Sequence, residues 1–419
     1  MNFKTLAAAQ RWIESVVRFK DKYDLTRMNK ACEMLGHPER TFKSIHVGGT
    51  NGKGSTLTFL KEILMDASYH VGTFMSPYVV RFNERITLDD ALISDEELLI
   101  YINRIYEFQQ TYLEKENDQI SFFELLTLIS FLYFADKDVD VVLYEVGLGG
   151  RLDATNVITP ELSIITSIGH DHMHILGDTL KKVTLEKLGI VKEGVPLVDA
   201  VMQETLIPVI DSYINKMNSP VQHLVDVPLK NTFTTSKTFT YKHERYALSV
   251  HGTYQIQNAR LALLACEMLN EKTVFDIPLH AMRSGIKAMR MPGRFEIIGN
   301  VILDGAHNPE GIFEGVKALK YYAKKLPVTV LFTVMRDKDY GTMQSALETI
   351  ATHIIYTQLP MERSEKASIL LKNSHHVQAQ AHTDFKKALS IAQHLSKNGV
   401  VYVCGSLYFI SSIRKELVE

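Results

Sequence analysis

The sequence predicts an α/β protein: a doubly wound, mostly parallel sheet domain with a small antiparallel appendage, followed by a smaller α/β domain. Three observations predict it. Short apolar runs alternate with segments of helical spacing along most of the chain. Val139 to Val146 is nearly unbroken apolar sequence, the pattern of a strand covered on both faces. Glycine-rich or charged residues gather where such runs end, along the edge where open α/β sheets collect ligands.

Residues 5–35 read as helices, with one stripe at Trp12, Ile13, Val16 and Val17 and another at Met28, Ala31, Cys32 and Leu35. Gly36-His37-Pro38 stops the second. A strand at 41–47 feeds a glycine loop and a helix through Leu57, Leu60, Ile63, Leu64 and Ala67. His70 to Met75 is a strand ending at Ser76-Pro77, and Ile86-Thr87-Leu88 is a short one. Helices follow at 94–115 and 121–135, then the strands Val139–Val146 and Leu162–Ile168. A helix at 178–191, a strand at 195–201 and a helix at 203–217 continue the alternation. From about 220 to 252 the sequence is polar and β-rich, which supplies the antiparallel appendage. After a helix at 255–270, Met289 to Arg294 reads as a linker. The alternation then restarts with strands at 295–304, 328–334, 353–358 and 400–404, and helices at 309–324, 340–350, 363–372, 383–396 and 407–417.

Bulk properties exclude several function classes. A chain of 419 residues with 46% hydrophobic and 22% charged residues can bury large cores in two or three domains. A formal net charge of −2 gives no support to a nucleic-acid surface or a polybasic membrane patch. Cys32, Cys266 and Cys404 are far apart in apolar or helical contexts, as small buried hydrophobes in a reducing compartment would be. No apolar run is long enough to span a membrane, and Met1-Asn2-Phe3-Lys4 opens no signal-type segment, so a cytoplasmic location is expected.

Ile45 to Ser55 is where the chemistry concentrates. Four glycines, Gly48, Gly49, Gly52 and Gly54, surround Thr50, Asn51 and Lys53, and Ser55 follows at the helix start. Glycines let backbone N–H groups turn inward, the helix start adds partial positive charge, and Lys53 adds a full one. Ser55 can place a hydroxyl on a nucleotide's Mg²⁺. The strict phosphate-loop spelling is broken, because Gly54 stands between Lys53 and Ser55; a solvated strand–helix turn is the plain alternative. Glu145 ends a buried strand, where a Walker-B-type acid holds Mg²⁺, although an exposed strand-end carboxylate fits equally. His170, His172 and His174 beside Asp171 lack the separated pairs of structural zinc; His172 is the one suited to a nucleotide-associated ion. On the helix at 178–191, Lys187 lies within roughly 20° of the centre of the apolar face. It either snorkels, pairs with a carboxylate, or serves a site. Asp304 and His307, in Asp304-Gly305-Ala306-His307-Asn308-Pro309, lie at a strand–turn–helix start and can reach a nucleotide, or simply shape an ordinary turn.

Taken together, these segments resemble the folylpolyglutamate synthase/dihydrofolate synthase family of Mur-ligase-like, ATP-dependent amide ligases. The resemblance rests on Gly49 to Ser55, Ser76-Pro77, Asn83 to Ile86, Phe122-Phe123-Glu124, Glu145 to Asn156, Leu176-Gly177 and Glu186-Lys187. It continues through Asn258-Ala259, Pro292-Gly293-Arg294, Asp304 to Pro309 and Gly405 to Tyr408. Gly54 belongs to the family's own spelling of the loop. The resemblance implies a P-loop domain of the Mur-ligase central type over 1–293 and a Rossmann-like glutamate-ligase domain over 294–419. It implies ATP-driven amide formation between a reduced folate or dihydropteroate carboxylate and L-glutamate through an acyl phosphate. It assigns Ser55, Ser76, Glu145 and His172 to metal, Lys53, Lys187 and His307 to catalysis, and Asn258, Arg294 and Asp304 to ATP beside the loop residues. Lys187 matches a carbamylated lysine that supports a second Mg²⁺. Mg²⁺ prefers oxygen, so a histidine ligand such as His172 would tolerate Mn²⁺, and a monovalent cation is a further expected ion. Arg85, Phe122, Phe123 and Asp153, with Leu25 to Arg27 behind them, are implied contacts of the pteridine. Tyr78 and Tyr254 stand where the family often has histidine, Gly48 replaces an alanine before the loop, and Leu188 replaces one after Lys187. A monomer acting on small molecules is expected.

Two rivals remain at this level. A cell-wall Mur ligase carries a nucleotide-sugar domain ahead of the loop, and the 45 residues before His46 are too few for one. A P-loop NTPase without ligase activity needs no second α/β domain bearing Asp304 and His307.

Overall fold

The computed structural model describes residues 2–17, 24–227 and 237–418. Parts of two expected segments, 18–23 of the N-terminal helices and 228–236 of the β-rich stretch, lie outside the described residues, as does the His174 side chain. Two compact units result: 2–17, 24–168, 172–227 and 258–286 in the first, 169–171, 237–257 and 287–418 in the second.

In the first unit, α1 (Leu6–Ser15) and α2 (Thr26–Met34) precede β1 (Lys43–Gly48), α3 (Lys53–Asp66) and β2 (Val71–Phe74). Then come β3 (Ile86–Leu88), β4 (Ala91–Leu92), α4 (Asp95–Glu116), α5 (Phe122–Ala135), β5 (Val141–Glu145) and β6 (Leu162–Ile165). The series ends with α6 (Met173–Leu176), α7 (Leu180–Leu188), β7 (Leu197–Asp199), α8 (Ile207–Lys216) and β8 (Val221–His223). The sheet order is β4-β3-β2-β5-β1-β6-β7-β8, parallel from β2 to β8 with β3 and β4 antiparallel at one edge. The chain leaves β1 for β2, and β5 later fills the gap between them, so the loop after β1 opens at a topological switch point. One core gathers α1, α2, α4 and the almost wholly apolar α5 with Val142 and Tyr144 of β5. Another joins Ile165, Val183, Leu188, Leu197 and Ile210 beneath α7 and α8.

At the β7–β8 edge, buried His223 bridges two carboxylates: Nδ1 is 2.6 Å from Asp199 Oδ2 and Nε2 is 3.0 Å from Asp211 Oδ1. The Asp199 hydrogen bond, opposed by burial, raises its pKa to about 9. A raised pKa adds stability that is complete below the unfolded value and is lost as pH climbs through the folded one. His223→Gln is therefore expected to cost about 2 kcal/mol near pH 6, with denaturant curves of variant and wild type converging above about pH 9.

The second unit begins with the hairpin of β9 (Thr238–Tyr241) and β10 (Glu244–Ala247). Next in the chain come α9 (Gln255–Glu271) and α10 (Leu279–Ala288), whose residues 258–286 belong to the first unit; α10 is absent from the sequence expectation. There follow β11 (Arg294–Ile298), β12 (Val301–Asp304), α11 (Pro309–Ala323), β13 (Val328–Phe332), α12 (Tyr340–Glu348) and β14 (His353–Tyr356). The chain closes with α13 (Ala367–Lys372), β15 (Ala379–Ala381), α14 (Phe385–Leu395), β16 (Val400–Cys404) and α15 (Leu407–Val418). The expected strand 295–304 is two antiparallel strands, because Gly299 adopts φ +60 and turns the chain between Ile298 and Val301. The order β11-β12-β16-β13-β14-β15, parallel except for β11, has β16 filling the gap between β12 and β13. No helix among the described residues is long and apolar enough to cross a membrane.

Candidate active site

The glycine loop is held by the residues that follow β6. Thr50 N–H donates to Ser167 O at 2.8 Å and Asn51 N–H to Ser167 Oγ at 2.9 Å. Thr166 Oγ1 donates to Asn51 O at 2.6 Å. Gly49, at φ +141, has no space for a side chain: a Cβ there would stand 2.0 Å from Thr166 Oγ1 and 3.0 Å from Thr166 N. Gly52, at φ +90, caps α3, and a Cβ there would stand 2.4 Å from Asn258 Oδ1. Asn258 of α9 is thereby placed against the loop, whereas Thr166 and Ser167 went unsuspected in sequence.

Neighbouring strand ends bring the charges in. Glu145 pairs in register with Val47, is 6% exposed, and its Oε2 accepts from Ser76 N–H at 3.1 Å. Ser55 is buried on the first turn of α3. Lys187, 4% exposed on α7, does not snorkel; its Nζ donates to Gly49 O at 2.9 Å. Lys53 Nζ donates to the same carbonyl at 3.3 Å and to Thr50 O at 3.4 Å. Two lysines therefore converge on one peptide of the loop. Gly150 lets the strand-end loop after β5 lie on α7, since a Cβ would stand 2.8 Å from Lys187 O and 2.7 Å from Glu186 O. Arg151 fastens the same contact through Glu186, with N–H to O at 2.7 Å and Nη2 to Oε1 at 2.8 Å.

Three aromatic rings lie close to Arg85. Its guanidinium carbon lies 5.1 Å from the Tyr78 ring centre, 5.4 Å from Phe82 and 5.9 Å from Phe122. Rings stacked on a guanidinium fix its plane, so Tyr78 contributes as an aromatic wall. Phe122 and Phe123 open α5, whose start is fixed by the Ser121–Glu124 capping box. Glu124 also binds Arg27 Nε at 3.1 Å, which ties the Leu25–Arg27 stretch to this helix start. Phe123 lies under Gly147, where a Cβ would stand 2.5 Å from its ring. Asp153 is buried and accepts from Leu148 N–H at 2.8 Å, Thr155 N–H at 3.0 Å and Thr155 Oγ1 at 2.5 Å. Burial raises its pKa against those bonds. His172 opens α6 in the left-handed conformation, φ 52.

In the second unit Asp304 ends β12, 2% exposed, and accepts from Tyr402 Oη at 3.0 Å and from Tyr254 Oη at 3.4 Å on each oxygen. Gly315 makes this possible, because a Cβ there would stand 2.1 Å from Tyr402 Oη. Burial raises the Asp304 pKa, and the Arg294 charge opposes it. His307 Nδ1 is 2.8 Å from Gly305 O, which makes Nδ1 the protonated nitrogen and leaves Nε2 3.9 Å from Asp171 Oδ2. Burial and then Lys338 lower its pKa to about 4, so the ring is neutral. Asp171 also takes Lys338 Nζ at 2.5 Å and Asn308 Nδ2 at 3.1 Å. Asn308 lies in the Asp304–Pro309 motif with no role that the sequence assigns it, and Lys338 carries no sequence signal beyond a lysine after a buried strand.

Among the described residues no three His, Cys, Asp or Glu side chains come together as a metal site. The expected metal set, Ser55, Ser76, Glu145 and His172, consists of two hydroxyls, one carboxylate and one imidazole. Hard oxygen donors that leave positions for phosphate and water fit Mg²⁺.

The chain is similar to known proteins over nearly its whole length. Residues 47–266 match the Mur ligase middle domain and residues 293–407 the Mur ligase glutamate ligase domain. The chain is 39% identical to the dihydrofolate synthase/folylpolyglutamate synthase of Bacillus subtilis, over 99% of this chain and 100% of the relative. It is 29% identical to the folylpolyglutamate synthase of Lacticaseibacillus casei, over 100% and 99% of the two chains. The solved folylpolyglutamate synthase of Thermotoga maritima superposes with a TM-score of 0.84 at 31% identity, covering 98% of this chain and 96% of that one. That of Mycobacterium tuberculosis, complexed with ADP, gives 0.91 at 25%, covering 99% and 98%. The chain belongs to the dihydrofolate synthase/folylpolyglutamate synthase family.

Proposed function

We propose that this protein is an ATP-dependent ligase that joins L-glutamate, by an amide bond, to the carboxylate of reduced folates and their polyglutamates, and also to that of dihydropteroate. One observation carries the reading: Lys53 and Lys187 meet on the Gly49 carbonyl, inside a glycine loop flanked by the Glu145 and Ser76 strand ends. The names of the relatives support it, and that of the Bacillus subtilis protein joins both acceptors.

A carboxylate is a poor electrophile until its oxygen carries a good leaving group. The acceptor carboxylate attacks the γ-phosphorus of ATP, ADP departs, and an acyl phosphate forms. The glutamate amine then adds to the acyl carbon, sheds a proton, and the tetrahedral adduct expels phosphate. Loop amides from Gly49 to Ser55 and the Lys53 ammonium hold the phosphates as charge moves between them. Asn258, Arg294 and Asp304 are assigned to ATP, and Arg85 with Phe122, Phe123 and Asp153 to the pteridine. Ser55, Ser76, Glu145 and His172 would hold divalent metal. When bound, Mg²⁺ neutralises the transferring phosphoryl charge. Lys187, buried as an amine, adds CO₂ with loss of a proton and becomes a carbamate anion suited to a second ion. His307 is a weak base, so it accepts a hydrogen bond from the amine and does not store its proton.

ADP release is expected to require both glutamate and an acceptor, with tetrahydrofolate and dihydropteroate each serving. A coupled ADP assay tests this, and equal ADP formation without either would reduce the protein to a simple NTPase.

A further inference from the structure

His46 of β1 is fully buried two residues ahead of the glycine loop, and its Nε2 is 2.7 Å from Thr155 Oγ1. The same hydroxyl is 2.5 Å from Asp153 Oδ1. On the far side of the ring, His46 Nδ1 is buried without a hydrogen-bond partner. The three residues form a line with one threonine proton to serve two neighbours. With Asp153 ionised, Thr155 donates to the carboxylate, His46 donates from Nε2, and Nδ1 is left as a bare acceptor. With Asp153 protonated on Oδ1 the order reverses: Asp153 donates to Thr155, Thr155 to Nε2, and the ring proton sits on Nδ1, where nothing accepts it. A proton on Oδ2 instead faces the Leu148 N–H that this oxygen accepts. Burying an N–H without a partner costs about 1–3 kcal/mol, whereas an unused lone pair is tolerated more readily. Protonating Oδ1 thus forces His46 into its poorer tautomer, and protonating Oδ2 sets an O–H against the Leu148 N–H, so both routes are disfavoured.

Charging the ring offers no escape. Burial, and then the facing Lys192 ammonium, lower the His46 pKa to about 3. Around Asp153 the other hydrogen-bonding neighbours are the Gly147, Leu148 and Thr155 amides, none of them charged.

The geometry points to His46 as a positioning residue that acts through Thr155 to keep Asp153 a carboxylate. In that state Asp153 clasps the Leu148 turn and offers acceptors to the N–H-rich ring of a folate-type substrate. The inference rests on the ligase reading for its substrate, but not for its tautomer.

The test measures kcat/KM for tetrahydrofolate and for ATP from about pH 5 to 9 in wild type, His46→Phe, His46→Gln and Thr155→Val. His46→Phe and Thr155→Val are expected to raise the acid limb for tetrahydrofolate by about one pH unit, roughly a tenfold loss on the acid side. The ATP limb stays where it was. His46→Gln, whose amide N–H can still reach Thr155 and has no tautomer to exchange, restores the wild-type limb. An unshifted limb in folded His46→Phe and Thr155→Val proteins overturns the proposal. Nitrogen-15 NMR of histidine-labelled wild type, with His46→Gln locating the signal, should show an Nε2-protonated ring. An Nδ1-protonated ring overturns the proposal whatever the ligation assay gives. Absent ligation with an Nε2-protonated ring overturns the ligase reading and leaves the His46–Thr155–Asp153 line intact.

Discussion

Lys187→Ala is expected to lower ligation about 10³-fold, the scale of removing one preorganised charge-stabilising group, and to regain part of that rate with formate or acetate. Lys187 is 4% exposed on the core face of α7, where a bare charge is costly; a carbamate, formed when CO₂ adds to a neutral amine, would give that position an anion that a metal ion can pair. The carbamate so formed is an anion on a long stem beside Gly49, and truncation leaves a space of that shape into which a short carboxylic acid can diffuse. Lys53 still donates to Gly49 O and Thr50 O in the variant, so the loop keeps its shape and KM for ATP changes little. The rescuing reagent decides the chemistry. If Lys187 works as an ammonium on the Gly49 carbonyl, methylamine restores the rate and carboxylates do not. Carbon-13 NMR of wild type under labelled CO₂ gives a second, activity-independent reading: a carbamate resonance that disappears in Lys187→Ala.

Most of the first sheet was legible because each buried strand is a short apolar run and each helix keeps one stripe. The Lys187 oddity was legible for the same reason: a charge stands out on an apolar face. The β11–β12 hairpin was not, since Phe295 to Leu303 reads as one apolar stretch in which Gly299-Asn300 looks like a flaw instead of a turn. What the sequence hides most completely is partnership at long range. Thr166 reaches Asn51 across 115 positions, and Lys338 reaches Asp171 across 167, and neither end carries a local pattern that names the other. His46 illustrates the limit from the opposite side. In a strand reading it is one more residue in an apolar approach, and only the Thr155 and Asp153 distances give its two ring nitrogens different meanings.

Gly49→Ala should be the most damaging single methyl in the first unit. The backbone there sits at φ +141, outside the range that side chains adopt readily, and the added Cβ would stand 2.0 Å from Thr166 Oγ1. Thr166 cannot simply rotate away, because that hydroxyl latches Asn51 O at 2.6 Å, and its own N and that of Ser167 block the new carbon at 3.0 and 3.1 Å. Strain of about 1–2 kcal/mol from the conformation therefore adds to about 1–3 kcal/mol from overpacking. The only relief is to move the peptide whose carbonyl both Lys53 and Lys187 hold. ATP-dependent ligation is expected to fall by more than about 100-fold, with a drop of about 3 kcal/mol in unfolding free energy. Gly36→Ala separates the two causes: that glycine also has a positive φ, +77, but a Cβ there meets nothing within 4 Å. It should lose about 1 kcal/mol and keep full activity. Equal activity losses in the two variants would mean that backbone strain, and not the loop's fit against Thr166, governs the site.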